Sequence, residues 1–201
     1  MSEEFIQRHS KSGIIHVGAN TGQERGVYEK LDKKVLWMEA DPDVHAVLKN
    51  NIKHLPKQDS ICALILDKQK DVKFNVSRES GRSSVYGFTD HHFNDPKFKH
   101  TKTIVLSAIR LDSINLDSYD TLITDTQGAD LNVIKSLGDK IVNFNLIICE
   151  VFLKECYKNI PLASEYDEYV CAKGFKRVAE FGRTGKWSNY VYVKNPIHTN
   201  L

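Results

Sequence analysis

Apolar positions along this 201-residue chain alternate between short unbroken runs and stretches where they recur every third or fourth residue. The first run, "GIIHV" (13–17), stops at a glycine, and "QERGVYEKL" behind it carries Val27, Tyr28 and Leu31 at helical spacing. The next, "KVLWMEA" (34–40), leads into "DPDVHAVLKNNI". There Asp41 suits an N-cap and Pro42 the first helical position, while Val44, Val47, Leu48 and Ile52 mark one apolar face. "SICALIL" (60–66) reads as a third buried strand. Three strands separated by helices predict parallel β-α-β units, with the sheet covered on both faces.

The middle of the chain breaks this rhythm. "DVKFNV" (71–76) and "KTIVLSAIRLDSI" (102–114) predict strands, but the stretch from Arg78 to His100 shows no regular pattern. A connection of that length in a compact domain is usually functional or disordered. Tyr86, Phe88 and Phe93 within it suit a lid over a ligand, and His91 and His92 read as exposed loop residues. The alternation returns with "YDTLITD" (119–125), a helix in "ADLNVIKSLGD" with Leu131, Ile134 and Leu137 inward, and the strand "NLIICEVFL" (145–153). A helix over 163–173 stops at Gly174, a C-terminal cap. "FKRVAEF" and "SNYVYV" around "GRTGKW" predict an antiparallel hairpin. The expected fold is α/β, a Rossmann-like doubly wound and mostly parallel sheet ending in that hairpin. It forms a single domain over 1–201 with an irregular lid-like insertion at about 78–101.

Composition narrows the partners. The 28 basic and 26 acidic residues leave a formal charge of +2, and the most basic segment, "KFKHTK" (97–102), is too short for the stripe expected of a nucleic-acid binder. The polar, acid-containing start lacks the pattern of a secretory signal. No apolar run reaches the roughly 18 to 20 residues needed to cross a bilayer, so a soluble, cytoplasmic protein is expected, with no membrane or nucleic-acid partner. Cys62, Cys149, Cys156 and Cys171 form no C-x-x-C pair and are expected to be buried free thiols.

The turn after the first strand carries the chemistry. A dinucleotide site wants G-x-G-x-x-G so that the backbone can approach a pyrophosphate. Here the run is Gly18-Ala19-Asn20-Thr21-Gly22. Asn20 tolerates a left-handed backbone, but its side chain occupies the space a diphosphate would need, which favours a nucleoside ligand without phosphates. Glu39 ends the second strand, where an acid grips ribose hydroxyls in such folds. Asp125 and Gln127 lie just past the fourth strand and Glu150 at the matching end of the fifth, where ligands gather in an open parallel sheet. Glu150 is also anomalous, because it interrupts a run that should be buried, and a buried carboxylate needs a partner or a raised pKa.

These features together resemble the S-adenosylmethionine-dependent class I methyltransferases. More closely, "IIHVGANTGQE", "WMEADP", "SSVYG", "IRLDSI", "TDTQGADLNVIKSLG", "IICEVF" and "GFKRV" resemble, in order, the landmarks of the FkbM-type family over residues 13–193. The resemblance implies S-adenosyl-L-methionine as cofactor. Gly18, Ala19, Asn20 and Gly22 would lie beneath its methionine moiety, Glu39 would hold the ribose, and Ala40 and Asp41 would flank the adenine. Ala63 and Asp67 fall near the adenine edge, with nothing local to single out either. His16 stands where the family often has an acid that reaches the methionine amino group, and a neutral imidazole nitrogen could accept the same bond. Ser83 and Ser84 match a serine pair that could bind the cofactor's carboxylate or the acceptor.

The reaction the resemblance implies is O-methylation of a small-molecule or glycan hydroxyl. Asp125, Glu150 and Gln127 serve as base or acceptor anchor in that reading, with Asp125 also near the cofactor. Two carboxylates do not define a metal site, and an ion pair between structural groups is the other reading of Glu150. Methylation of a protein or nucleic acid, and a cofactor-binding domain without transfer activity, remain alternatives. A nicotinamide-dependent reductase is disfavoured by the turn. An irregular middle segment also leaves room for a partner, such as a second copy in a homo-oligomer, to finish the pocket.

Overall fold

The computed structural model describes residues 3–78, 80–89 and 99–195. A seven-stranded sheet carries the chain, built from β1 (Gly13–Val17), β2 (Lys34–Glu39), β3 (Gln58–Cys62), β7 (Thr121–Thr124), β8 (Leu146–Phe152), β9 (Phe175–Phe181) and β10 (Trp187–Lys194). Their order is β3-β2-β1-β7-β8-β10-β9. The first five are parallel, while β10 and β9 run antiparallel. The expected fold and its closing hairpin are both present. The order reverses beside β1, which places a crevice at the carboxyl ends of β1 and β7, where open α/β sheets hold ligands.

The unbroken apolar runs follow from burial on both faces. Successive side chains on a strand point to opposite sides. Ile15, Leu36, Leu122 and Ile147 therefore pack with Leu131, Ile134, Tyr166 and Val170, from α4 (Asp130–Lys135) and α5 (Ala163–Ala172). Ile14, Val35, Trp37 and Ile148 pack instead with Ile6, Tyr28, Leu48 and Ile52, from α1 (Glu3–His9), α2 (Arg25–Lys30) and α3 (Pro42–Ile52). Asp41 caps α3, its side chain accepting from Asp43 N at 3.0 Å. Gly174 ends α5 in a left-handed conformation, φ +86°. Among the described residues no helix is long and apolar enough to cross a membrane.

Four expectations need correction. "SICALIL" is not one buried strand. β3 is the sheet edge and ends at the exposed Cys62, and after Ala63 the chain leaves as β4 (Leu64–Ile65) for a second sheet of order β4-β6-β5. That sheet contains β5 (Asp71–Ser77) and β6 (His100–Ile109). The strand expected over 102–114 stops at Ile109, because Leu111–Ser113 forms a 3-10 turn in which Arg110 pairs with Asp112. Val47 is exposed, since α3 rests on the sheet through Leu48 and Ile52. Of the four thiols, Cys149 and Cys156 are buried, whereas Cys62 on the edge strand and Cys171 on the outer side of α5 are exposed. In the expected lid, Phe93, His91 and His92 lie outside the described residues. Residues 80–89 pack onto the body, with Ser84 pairing to Asn75 and Phe88 to Tyr157.

Candidate active site

The turn after β1 is shaped by close backbone approach. Gly18 N and Ala19 N both donate to Met38 O, at 2.9 and 3.0 Å. Gly18 has φ +77°, and a Cβ there would lie 1.9 Å from Asp125 O. Only glycine fits. Asn20 also takes positive φ, +46°, a conformation asparagine tolerates. Its amide donates to Glu39 Oε2 at 2.8 Å, while Asp41 N donates to Glu39 Oε1 at 2.9 Å. Burial pushes the Glu39 pKa up, and these two backbone amides oppose the rise. Each carboxylate oxygen keeps a second acceptor direction, and the side chain lines a cavity of about 200 Å³ at the carboxyl ends of the strands.

That cavity brings together His16, Gly18, Ala19, Asn20, Glu39, Ala40, Ala63, Asp125 and Gln127 from the expected site. Leu64, Ile65, Phe74 and Val85 supply an apolar wall, and Ser83 also borders it. Gly22, Asp41, Ser84 and Glu150 do not line it. Gly22 (φ +74°) lets the turn pack on Leu48, whose Cδ1 would be 2.7 Å from an added Cβ. Asp41 is occupied with capping. The fully buried Ser84 donates to Gln127 O at 2.8 Å and accepts from Tyr86 N. Asp67 does not border the cavity either, and its carbonyl accepts from Arg110.

His16 is buried against Trp37, ring centroids 4.9 Å apart, with Nδ1 3.0 Å from Tyr28 Oη. Burial lowers its pKa to about 4, against a smaller opposing effect of Asp125. The imidazole is therefore neutral near pH 7, the state that does not repel a cationic amino group. Among the described residues, two buried polar atoms beside the cavity lack a protein partner, Asn20 Oδ1 and Thr126 Oγ1. Buried groups of this kind normally find a bond, so a polar ligand belongs there. An apolar wall, an acid with spare acceptor capacity and two orphaned polar atoms fit an adenosyl group with an amino-acid tail.

A second concavity adjoins the first, sharing Gly81 and Gln127, and is lined by Arg82, Glu150, Phe152, Tyr157 and Trp187 among others. Gln127 has positive φ, +55°, and its Nε2 donates to Asp125 Oδ1 at 2.7 Å and Glu150 Oε2 at 3.1 Å. The Asp125 carboxyl is open to the cavity but set deep among protein atoms. Desolvation raises its pKa, while the bond from Gln127 lowers it. Glu150 is 6% exposed, and its pKa stands well above the usual value through burial first and the neighbouring Asp125 and Asp130 carboxyls next.

Sequence reasoning missed Asp130, Thr126 and Tyr157. Asp130 is fully buried and ties down the loop that presents Gln127. Its Oδ1 accepts from Thr124 Oγ1 (2.8 Å) and Thr126 N (3.0 Å), and its Oδ2 from Gly128 N (3.3 Å). Burial raises its pKa to about 7. The signal was present, since an acid just ahead of an apolar helical run is a candidate loop anchor. Tyr157 carried no local pattern.

Comparison with solved structures shows the fold. The chain is similar to a precorrin-6y C5,15-methyltransferase from Geobacter metallireducens (TM-score 0.51, 12% identity, 96% of this chain and 85% of that one). It is similar to the glycopeptide N-methyltransferase MtfA in complex with S-adenosyl-L-homocysteine (0.51, 9%, 96% and 88%). It also resembles a Streptococcus pneumoniae protein provisionally described as a tRNA (m1A22) methyltransferase (0.55, 11%, 95% and 68%). Their acceptors differ in kind. No curated protein matches the chain in sequence. The family model for the methyltransferase FkbM domain matches residues 16–177, a span holding the turn, Glu39 and the whole carboxyl cluster, so this chain belongs to the FkbM family of S-adenosylmethionine-dependent methyltransferases.

Proposed function

We propose that the enzyme methylates a hydroxyl group of a small molecule or glycan. The observation that carries this reading is the second concavity, which meets the adenosyl cavity at Gln127 and presents a buried carboxyl, Glu150, with a raised pKa. S-adenosylmethionine, when bound, would supply a methyl group activated on a sulfonium. The chain's own work is to place the acceptor and take its proton. In this reading Glu39 accepts from the ribose hydroxyls, and His16 and Asp125 face the amino-acid tail. Asn20 and Thr126 complete the polar contacts. Glu150 receives the acceptor's proton, and the faces of Trp187 and Phe152 cover the apolar side of a compact acceptor. The near-neutral charge of the chain offers little to a nucleic-acid backbone.

The test is transfer of a radiolabelled methyl group to a panel of sugars and nucleotide sugars. A methyl ether product is expected, with turnover falling about 10²- to 10⁴-fold in Glu150→Gln. A base acts unprotonated, so the wild-type rate should fall as pH drops through the Glu150 midpoint, on an acid limb above the 4.5 of an ordinary glutamate. Products methylated only on nitrogen or carbon, or a Glu150→Gln enzyme as fast as the wild type, would overturn the proposal.

A further inference from the structure

We propose that Tyr157 is a positioning residue, whose hydroxyl holds the Gln127 amide so that both of its N–H bonds are directed at Asp125 and Glu150. The inference rests on the functional reading only in calling Glu150 the proton acceptor and Asp125 a cofactor contact.

Tyr157 Oη donates to Gln127 Oε1 at 2.7 Å. The amide is thereby fixed at both ends, through its oxygen by Tyr157 and through its nitrogen by the two carboxyls at 2.7 and 3.1 Å. The two ends of a primary amide have nearly the same shape and opposite hydrogen-bonding character. With Tyr157 Oη removed, Oε1 would lose its hydrogen-bond partner at a part-buried site, which a polar oxygen tolerates poorly. The amide would then be held through its nitrogen alone, and its hold on the two carboxyls would weaken.

The phenol itself is held from three sides. Its ring stacks on Phe88 at 5.0 Å and meets the edge of Phe152 at 5.6 Å. The backbone around it is stitched to residues 87–89, with Lys158 N donating to Gly87 O at 2.7 Å and Thr89 N to Cys156 O at 3.2 Å. Gly81, Ser83 and Val85 of the same segment border the adenosyl cavity, and Ser84 Oγ donates to the backbone oxygen of Gln127. One segment therefore closes over the cofactor side and, through Phe88 and Tyr157, orients the amide between the carboxyls. This gives residues 80–89 a role in the chemistry beyond covering a ligand.

The groups acting on the carboxyl pair are His16 from β1, Glu24 just ahead of α2, Asp130 at the start of α4, Arg82 from the 3-10 turn (Ser80–Arg82), and Gln127. Tyr157→Phe keeps all of them and the ring stack, and removes one oxygen. The experiment is a carbon-13 NMR titration of the side-chain carboxyls, with aspartate and glutamate labelled and S-adenosylhomocysteine bound, so no acceptor is required. In Tyr157→Phe the Asp125 midpoint should rise by on the order of one pH unit, as expected for loss of a hydrogen bond to the charged form, while affinity for S-adenosylhomocysteine stays within about twofold. Gln127→Leu should raise the same midpoint, and adding Tyr157→Phe to it should change nothing further.

An unmoved Asp125 midpoint in Tyr157→Phe would overturn the inference. So would a shift that persists in the Gln127→Leu background, because Tyr157 would then act without the amide. Absence of methyl transfer to any hydroxyl would sink the functional reading and leave this titration standing.

Discussion

Glu39 and Glu150 sit on β2 and β8 of one sheet, toward the carboxyl ends, and both are almost fully buried, yet their surroundings are opposite. Glu39 accepts one backbone amide on each oxygen, from Asn20 and Asp41. Those donors belong to a turn and a helix start, so they stay in place whether or not a ligand is present. Glu150 has the side-chain amide of Gln127 and faces Asp125 and Asp130. Burial raises both pKa values. Fixed amides oppose the rise at Glu39, and neighbouring carboxyls reinforce it at Glu150. The first arrangement suits an anchor that remains charged. The second suits a group that gains and loses a proton. Two glutamates on one sheet thus sit in opposite electrostatic surroundings.

The comparison can be broken from either side. On the Glu39 side the largest effect is expected from Gly18→Ala, because the new methyl group would stand 1.9 Å from Asp125 O on a backbone with φ +77°. The loss of stability should exceed about 4 kcal/mol, read from urea unfolding. A variant with wild-type stability would mean the turn is looser than described. On the Glu150 side, Asp130→Ala leaves Thr126 N and Gly128 N without their acceptor and should cost about 2–4 kcal/mol. The Asp130 pKa is raised from 3.8 to about 7 in the folded chain, so folding retains a proton that unfolding releases. Stability from this group is complete below about pH 3.8 and is lost as pH rises through about 7. The penalty of Asp130→Ala should accordingly be larger at pH 5 than at pH 8, and the reverse order would refute the assignment.

Much of this was legible in the sequence, for physical reasons that also explain the gaps. Strands buried on both faces leave unbroken apolar runs, so β1, β2, β7 and β8 stand out, and the capping pair Asp41-Pro42 marks the start of α3. The position of Glu39 followed from the length of one β-α-β unit. Edge position has no such mark. "SICALIL" looks like an interior strand, but its first half lies at the sheet edge and its second half joins another sheet. In the site, Asp125, Gln127 and Glu150 could be grouped because topology brings strand ends together. Their separation into two cavities joined at Gln127 could not be read, since it depends on side-chain direction. Tyr157 lies outside any periodic run and packs on Phe88 of residues 80–89, a segment that is itself without periodicity.

In the proposed reading Glu39 anchors a phosphate-free adenosyl ligand, while Glu150 serves the chemistry and not the binding. Isothermal titration of S-adenosylhomocysteine into wild type, Glu39→Ala and Glu150→Gln tests it most directly. Binding by the wild type is expected, with a Kd raised about 30- to 100-fold in Glu39→Ala for loss of two charge-assisted hydrogen bonds and a nearly unchanged Kd in Glu150→Gln. Equal binding by wild type and Glu39→Ala, or no binding by the wild type, would contradict it.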